Sequence, residues 1–205
     1  MSINEYLKQV GKRISASIST EHSYRADLQN LLNALVKGIT VTNEPKRQKC
    51  GAPDYIISKK DVPIGYIEAK DISIDLDKIE KSEQMQRYLP SLDNLILTDY
   101  LEFRFYRSGN KVKSIRIAQI VANKLVPNPE EFDIFEDHIK NFCNYRGVTI
   151  TSPEKLAKMM AQKARLMENI IYNAVKDIED ENNSLKEQLE AFRNILIHDL
   201  DEKTF

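Results

Sequence analysis

Residues that build zinc sites and phosphate-binding loops are scarce in this sequence. Its 205 residues include two cysteines and three histidines. Cys50 and Cys143 lie far apart and form no metal-ligand pair with a histidine, which argues against zinc, and a reducing cytoplasm is the expected setting. The six glycines stand singly, and the G-x-x-x-x-G-K-[ST] loop of a nucleotide-driven motor is missing.

Long hydrophobic runs are also missing. No stretch of about twenty apolar residues occurs, so no membrane-spanning helix is predicted, and the N-terminus lacks the pattern of a signal peptide. With 41% hydrophobic residues the chain can build a core, and 30% charged residues suit a soluble protein. The length predicts one domain with extensions or two small domains.

Charge is distributed unevenly along the chain. The net charge of −1 argues at first against a nucleic-acid-binding protein. Residues 1–120, however, carry 19 basic and 15 acidic residues, whereas residues 121–205 carry 11 and 16. Because strong non-specific DNA-binding proteins are usually far more basic, this distribution suits an enzyme whose main grip on DNA lies elsewhere.

A predicted hairpin brings two acidic residues together. Strands are predicted at residues 54–58 and 63–70, separated by a polar turn. If the hairpin is centred near Asp61, Asp54 stands opposite Glu68. Directly opposed residues of a sheet have Cβ atoms about 4.5–5.5 Å apart. Two facing carboxylates repel each other unless a positive charge neutralises them.

A lysine and a metal ion can supply that charge. Side chains alternate along a strand, so Glu68 and Lys70 share one face. Two carboxylates can bind a hard divalent cation such as Mg²⁺, and a lysine beside them can orient a water or offset charge as a phosphodiester is attacked. The alternative is a solvated strand face with weak surface ion pairs.

A second motif lies on a predicted helix over residues 77–89. Gln84 and Tyr88 are four residues apart, which places them on one helix face. The order predicted from residue 20 is helix, three strands, helix and three strands. The last three strands are predicted at 94–98, 102–107 and 113–119. Earlier helices are predicted after a capping box at Ser2–Glu5 and over Glu21–Val36, ended by Gly38.

These motifs resemble those of the PD-(D/E)xK nuclease superfamily. Pro53-Asp54 and Glu68-Ala69-Lys70 match its central motifs, and Gln84 with Tyr88 matches the Q-x-x-x-Y motif of its RecB-like and Mrr-like branches. Residues 20–107 resemble more closely the N-terminal nuclease domain of single-chain restriction-modification enzymes of types ISP and IIG. The resembling segments are Thr20–Arg25, Asn43–Arg47, Gly51–Asp54, Gly65–Asp71, Gln84–Tyr88 and Asn94–Tyr100.

The resemblance implies a fold and an activity. The fold is α/β, a restriction-endonuclease-like core with a mixed central sheet flanked by helices. The activity is hydrolysis of phosphodiester bonds in double-stranded DNA with Mg²⁺, for which Mn²⁺ can substitute. Asp54, Glu68 and the backbone carbonyl of Ala69 are the implied metal ligands, and Lys70 is implied to position or activate the attacking water.

The resemblance also suggests supporting residues, each with a simpler alternative. Glu21 is a candidate metal-facing acid, or it merely complements a helix N-terminus. Gln84 and Tyr88 steady the site or touch DNA, or they pack a helix on the sheet. Lys46 and Arg47 contact DNA phosphates, or they belong to a solvated loop.

Two regions are expected along the chain. Residues 1–125 form the nuclease domain, and 126–205 form a helical connector to an adenine methyltransferase that lies outside this sequence. Helices are predicted around 132–142, from Pro153 onward, and after Asn182-Asn183. We expect the chain to be the front part of a larger cytoplasmic enzyme that also carries a target-recognition domain. The alternatives are an inactive nuclease-fold module that binds DNA or a partner subunit, and a structural module dominated by the C-terminal helices.

Overall fold

The chain divides into two units. The computed structural model describes residues 1–15, 21–43, 53–122, 124–145 and 153–176. The first unit comprises Met1–Glu44 and Pro53–Thr149, and the second comprises Pro45–Ala52 and Ile150–Phe205. Within the second unit, the described structure is one helix, Pro153–Lys176. No helix in the described ranges is both long and apolar enough to cross a membrane.

A six-stranded mixed sheet forms the centre of the first unit. Its strands are β1 (Thr40–Asn43), β2 (Tyr55–Lys59), β3 (Val62–Ala69), β4 (Asn94–Thr98), β5 (Glu102–Arg107) and β6 (Asn110–Arg116). They lie side by side in sequence order. Neighbours are antiparallel except β3 and β4, which are parallel. A parallel pair needs a crossover connection, which helices supply here.

Helices flank this sheet. They are α1 (Ile3–Ser15), α2 (Glu21–Leu35), α3 (Leu76–Glu80), α4 (Glu83–Ser91) and α5 (Phe132–Cys143); the helix of the second unit, Pro153–Lys176, is numbered α6. A two-stranded sheet, β7 (Ala118–Val121) with β8 (Lys124–Pro127), and a short 3-10 helix at Pro129–Glu131 precede α5. The α/β class and the mixed sheet flanked by helices are therefore confirmed.

The two faces of the sheet differ in chemistry. Ile67, Ile96 and Phe105 are cross-strand neighbours on one face and belong to the core that α1, α2 and α5 cover. One position further along, Glu68, Leu97 and Arg104 are neighbours on the opposite face, because side chains alternate along strands. Helices α3 and α4 pack on that second face. Glu68 and Arg104 therefore lie between the sheet and these two helices.

The hairpin of β2 and β3 has the predicted register near the acidic residues. Tyr55 pairs with Ile67, so the next position places Asp54 across from Glu68. Lys60 and Asp61 form a two-residue turn, and both have positive φ, 51° and 62°, as tight hairpin turns require.

Two elements differ clearly from their predicted bounds. The helix predicted over 77–89 is split into α3 and α4, because Ser82 caps a new helix and its hydroxyl accepts a hydrogen bond from Met85 N at 3.4 Å. The strand predicted at 113–119 instead runs from Asn110 to Arg116, because Ser108 and Gly109 form a tight turn with positive φ.

Helix α5 lies in the part of the chain, residues 126–205, that the sequence analysis predicts to be a connector. Its Phe135, Ile139 and Phe142 are fully buried in the first unit's core, and the Phe135 ring centroid lies 4.6 Å from that of Phe103. An amphipathic helix with this apolar side has to be covered, and the sheet covers it. The function of residues 126–205 as a connector stays a prediction, and the helix expected after Asn182-Asn183 lies outside the described residues.

Candidate active site

Asp54 lies immediately before β2 and is buried against β3. Its Oδ2 accepts a hydrogen bond from the backbone N–H of Ala69 at 2.8 Å. Its Oδ1 accepts one from Nη2 of Arg25 at 2.8 Å. The first contact follows from the hairpin register, and the second brings α2 to the same point.

Glu68 and Lys70 lie on the face of β3 that α4 covers. Lys70 Nζ donates to Glu68 Oε1 at 2.5 Å and to Gln84 Oε1 at 3.2 Å. Gln84 Nε2 donates in turn to the hydroxyl of Tyr88 at 3.1 Å. The structure therefore joins these four side chains in one hydrogen-bonded chain. The Lys70 side chain is 20% exposed, so the ammonium is the end of this chain that solvent or a ligand can reach.

Tyr88 is held as a neutral phenol. Burial raises its pKa above the usual value of 10.0, and the negative charge of Glu68 raises it further, although the hydrogen bond with Gln84 acts in the opposite direction. A buried phenol that stays protonated can donate and accept hydrogen bonds but does not serve as a base. Tyr88 is thus suited to hold Gln84, and through it Lys70, in place.

Arg25 is a site residue that the sequence reasoning did not single out. Its guanidinium is buried and also donates to Asn43 Oδ1 on β1 at 3.4 Å. Its backbone carbonyl accepts a hydrogen bond from the Tyr55 hydroxyl at 3.3 Å. Arg25 ends the segment Thr20–Arg25, one of those that carry the resemblance to nucleases. That position is the indication the sequence offers that Arg25 lies near the site.

Two buried carboxylates therefore face two cations. Arg25 neutralises Asp54, and Lys70 neutralises Glu68. Buried charges are tolerated when they are paired in this way.

The residues of this cluster fit a magnesium site of a particular kind. Mg²⁺ commonly binds one or two carboxylates and takes its other ligands from water and substrate phosphates. Asp54 and Glu68 provide such a pair, buried on neighbouring strands. Within the residues that the structure describes, no three His, Cys, Asp or Glu side chains group as an all-protein metal cage. The donor set thus suits a metal that shares its shell with a substrate.

No family model matches the chain, and no curated protein matches its sequence. Among solved structures, a chain of the cryo-EM structure of a DrdV–DNA complex is similar. It shares 19% sequence identity, with a TM-score of 0.48, over 70% of this chain and 99% of that chain.

A second charged cluster lies on the same face of the sheet. Arg104 Nη1 donates to Asp77 at 2.6 Å and to Glu80 at 2.7 Å, and its Nε donates to Glu102 at 2.7 Å. Arg116 also donates to Glu102. Arg104 thereby links α3 to β5. Its guanidinium lies among three carboxylates that would otherwise repel one another. This network stabilises the fold. Its members are distant in the sequence, so spacing along the chain does not reveal it.

Three of the predicted residues lie outside what the structure describes. Glu21 begins α2, but its side chain is outside the described residues, as are Lys46 and Arg47. Their predicted roles stay predictions.

Proposed function

We propose that this chain is a metal-dependent nuclease that hydrolyses phosphodiester bonds of double-stranded DNA. The observation that carries the proposal is the convergence of Asp54, Glu68 and Lys70 at the ends of two paired strands. The resemblance to PD-(D/E)xK nucleases, stated from the sequence, assigns the same three positions. Two acids can hold a divalent ion, and a lysine beside them can offset the charge that develops as a phosphodiester is attacked.

Each side chain has a role in this proposal. Asp54 and Glu68 would hold Mg²⁺, or Mn²⁺ in its place, with the Ala69 carbonyl as a further ligand. The metal, when bound, supplies Lewis-acid stabilisation of the charge that develops on phosphate oxygens. Lys70, as an ammonium, donates hydrogen bonds, so it orients a water and offsets negative charge. Gln84 and Glu68 hold that ammonium in position.

A second candidate function is a nuclease fold that binds DNA or a partner subunit without cleaving. The ion pair between Arg25 and Asp54 favours it, because a guanidinium occupies the carboxylate oxygen that a metal would need. The full charge complement of the site, with Lys70 and both acids present, favours catalysis. We rank cleavage first for that reason, and we propose that an adenine methyltransferase and a target-recognition domain accompany this chain in a longer cytoplasmic enzyme.

Plasmid nicking tests the proposal. Supercoiled DNA is incubated with Mg²⁺ or Mn²⁺ and with the wild type, Asp54→Asn or Lys70→Ala. The matched control is Lys78→Ala, since Lys78 is an exposed lysine whose ion-pair partner is Asp75 at 3.7 Å. We expect nicking by the wild type and the control, and a loss of about 100-fold or more in both site variants.

The same samples separate the two candidates. DNA retention in a gel-shift assay without nicking, under either metal, would support the binding module. Equal nicking by the wild type and Lys70→Ala would place the activity outside this site and refute the proposed roles. Repeating both assays on the longer enzyme, where one is found, tests the connection to methylation and target recognition.

A further inference from the structure

Each carboxylate oxygen of Asp54 accepts a hydrogen bond from another part of the protein. Ala69 N–H donates to Oδ2, and Arg25 Nη2 donates to Oδ1, each at 2.8 Å. The amide contact is neutral and fixes the orientation of the carboxylate. The guanidinium contact adds a full positive charge beside the oxygen. A metal that used Oδ1 would have to displace this charge or share the oxygen with it.

The Arg25 side chain is buried and fixed in position by its contacts. Its residue is 2% exposed, whereas the Lys70 side chain that pairs with Glu68 is 20% exposed. Asn43 on β1 accepts from its second terminal nitrogen, and Tyr55 on β2 anchors its carbonyl. Arginine is always charged, and its planar fork loses little entropy in such a pair. The cation beside Asp54 is therefore built into the fold.

We propose that Arg25 acts as an internal counter-ion that competes with the divalent cation for Asp54 and so sets the metal affinity of the site. This inference rests on the proposed function, because it assumes that the metal binds at Asp54. Arg25 is then a positioning residue. It offsets the charge of Asp54 and raises the metal concentration at which the site fills.

The size of the effect follows from charge and distance. At equal distance, a doubly charged ion is repelled by a guanidinium twice as strongly as a singly charged one. Replacing Arg25 by a neutral residue of similar reach should therefore lower the half-saturating metal concentration by about tenfold or more.

The experiment measures metal binding apart from catalysis. Mg²⁺, Mn²⁺ and Ca²⁺ are titrated into the metal-free protein without DNA, and binding is followed by calorimetry and by the melting temperature. The variants are Arg25→Gln and Arg25→Lys, which separate charge from shape. The control is Arg13→Gln, which removes the arginine of another ion pair, to Asp27 at 2.6 Å, between α1 and α2.

We expect Arg25→Gln to melt below the wild type without metal, because Asp54 loses its counter-ion, and to recover with Mg²⁺. Its half-saturating metal concentration should fall about tenfold or more, while Arg25→Lys and Arg13→Gln stay within about twofold of the wild type. If Arg25→Gln does not fold, Asn43→Ala provides the second test. It loosens the guanidinium without touching the charge, and we expect a decrease of about two- to tenfold.

Two outcomes overturn the inference and are distinguishable. If the wild type binds metal and nicks DNA but Arg25→Gln and Asn43→Ala bind no tighter, Arg25 organises Asp54 instead of competing for it, and the proposed function stands. If no variant binds any of the three cations, with or without Arg25, both the inference and the metal-dependent nuclease function fail.

Discussion

Gly65 provides a direct test of the packing between β3 and α5. An added Cβ at Gly65 would lie 2.5 Å from Cε1 of Phe142, closer still to its Cζ, and 2.9 Å from Nδ2 of Asn94. Carbon atoms pack best at about 3.5–4.0 Å, so Gly65→Ala places a methyl group about 1 Å too close to a fully buried ring. Neither neighbour can move away at low cost.

The reason lies in what holds these neighbours. Phe142 is buried in the core at the end of α5. Asn94 Nδ2 donates to the carbonyls of Ile64 at 2.6 Å and Phe142 at 3.0 Å, so the amide ties β3 to α5. Shifting the ring therefore strains these hydrogen bonds as well as the core.

The expected cost follows from opposing effects. Overpacking a core costs about 1–3 kcal/mol, and weakening the two amide hydrogen bonds adds about 0.5–1.5 kcal/mol each. The reduced entropy of the unfolded chain offsets about 0.4–1 kcal/mol. We therefore expect Gly65→Ala to lower the free energy of unfolding by about 2 kcal/mol or more. For a chain of this size that is a decrease of several degrees in melting temperature.

Urea unfolding followed by circular dichroism measures this change, and a second glycine gives a control of opposite sign. Gly11 lies inside α1, where an added Cβ would meet, among the described residues, Leu125 Cβ at the ordinary contact distance of 3.8 Å. Gly11→Ala should therefore stabilise the protein by about 0.5–1 kcal/mol, since alanine suits a helix better than glycine. The same chemical change thus raises stability at one glycine and lowers it at the other.

A double-mutant cycle identifies the cause. Phe142→Leu removes the ring atoms that the new methyl would meet, so Gly65→Ala should cost less than about 1 kcal/mol in that background. If Gly65→Ala is as stable as the wild type, or costs the same with and without the Phe142 ring, the packing of β3 against α5 described above is wrong.

Two further predictions concern protonation. Burial opposes ionisation of Glu102, but hydrogen bonds from Arg104 and Ser114 outweigh it and hold its pKa below the usual 4.5. A carboxyl group whose pKa is lowered by folding stabilises the folded protein at pH values above its unfolded-state pKa. Glu102→Gln should therefore lower the free energy of unfolding by about 1–3 kcal/mol near neutral pH. This difference should shrink as the pH falls below 4.5. A gap that persists in acid would contradict this. Burial raises the pKa of Cys143 to about 12, so in a Cys50→Ser variant thiol labelling should be slow when folded and fast in denaturant; rapid labelling of the folded protein would refute its burial.

Sequence alone predicts the parts of this fold that depend on local rules. Alternation of side chains and a two-residue turn suffice to pair Asp54 with the Glu68 region, and spacing of four suffices to place Gln84 beside Tyr88. The capping box at the N-terminus is equally local. Ser2 N donates to Glu5 Oε2 at 2.7 Å, and Glu5 N donates to Ser2 Oγ at 3.2 Å.

Contacts between distant elements were not predictable in the same way. Arg104 meets Asp77 and Glu80, more than twenty residues away, only because β4 inserts parallel to β3 and carries β5 under α3. Likewise α5 joins the core because Gly65 leaves room for Phe142. Neither fact is visible in periodicity, which shows that a helix has an apolar side but not which sheet covers it.

The two cations of the site illustrate the same difference. Lys70 neutralises Glu68 from two positions along the same strand, so its place follows from alternation. Arg25 neutralises Asp54 from another helix, and its place follows only from the packing of α2 on the sheet. One carboxylate thus pairs with a partly exposed lysine beside it on the same chain segment. The other pairs with a buried arginine of α2. A metal ion that bound both acids would have to compete with both cations. The energetic cost of displacing the buried guanidinium of Arg25 would depend on how firmly α2 is held.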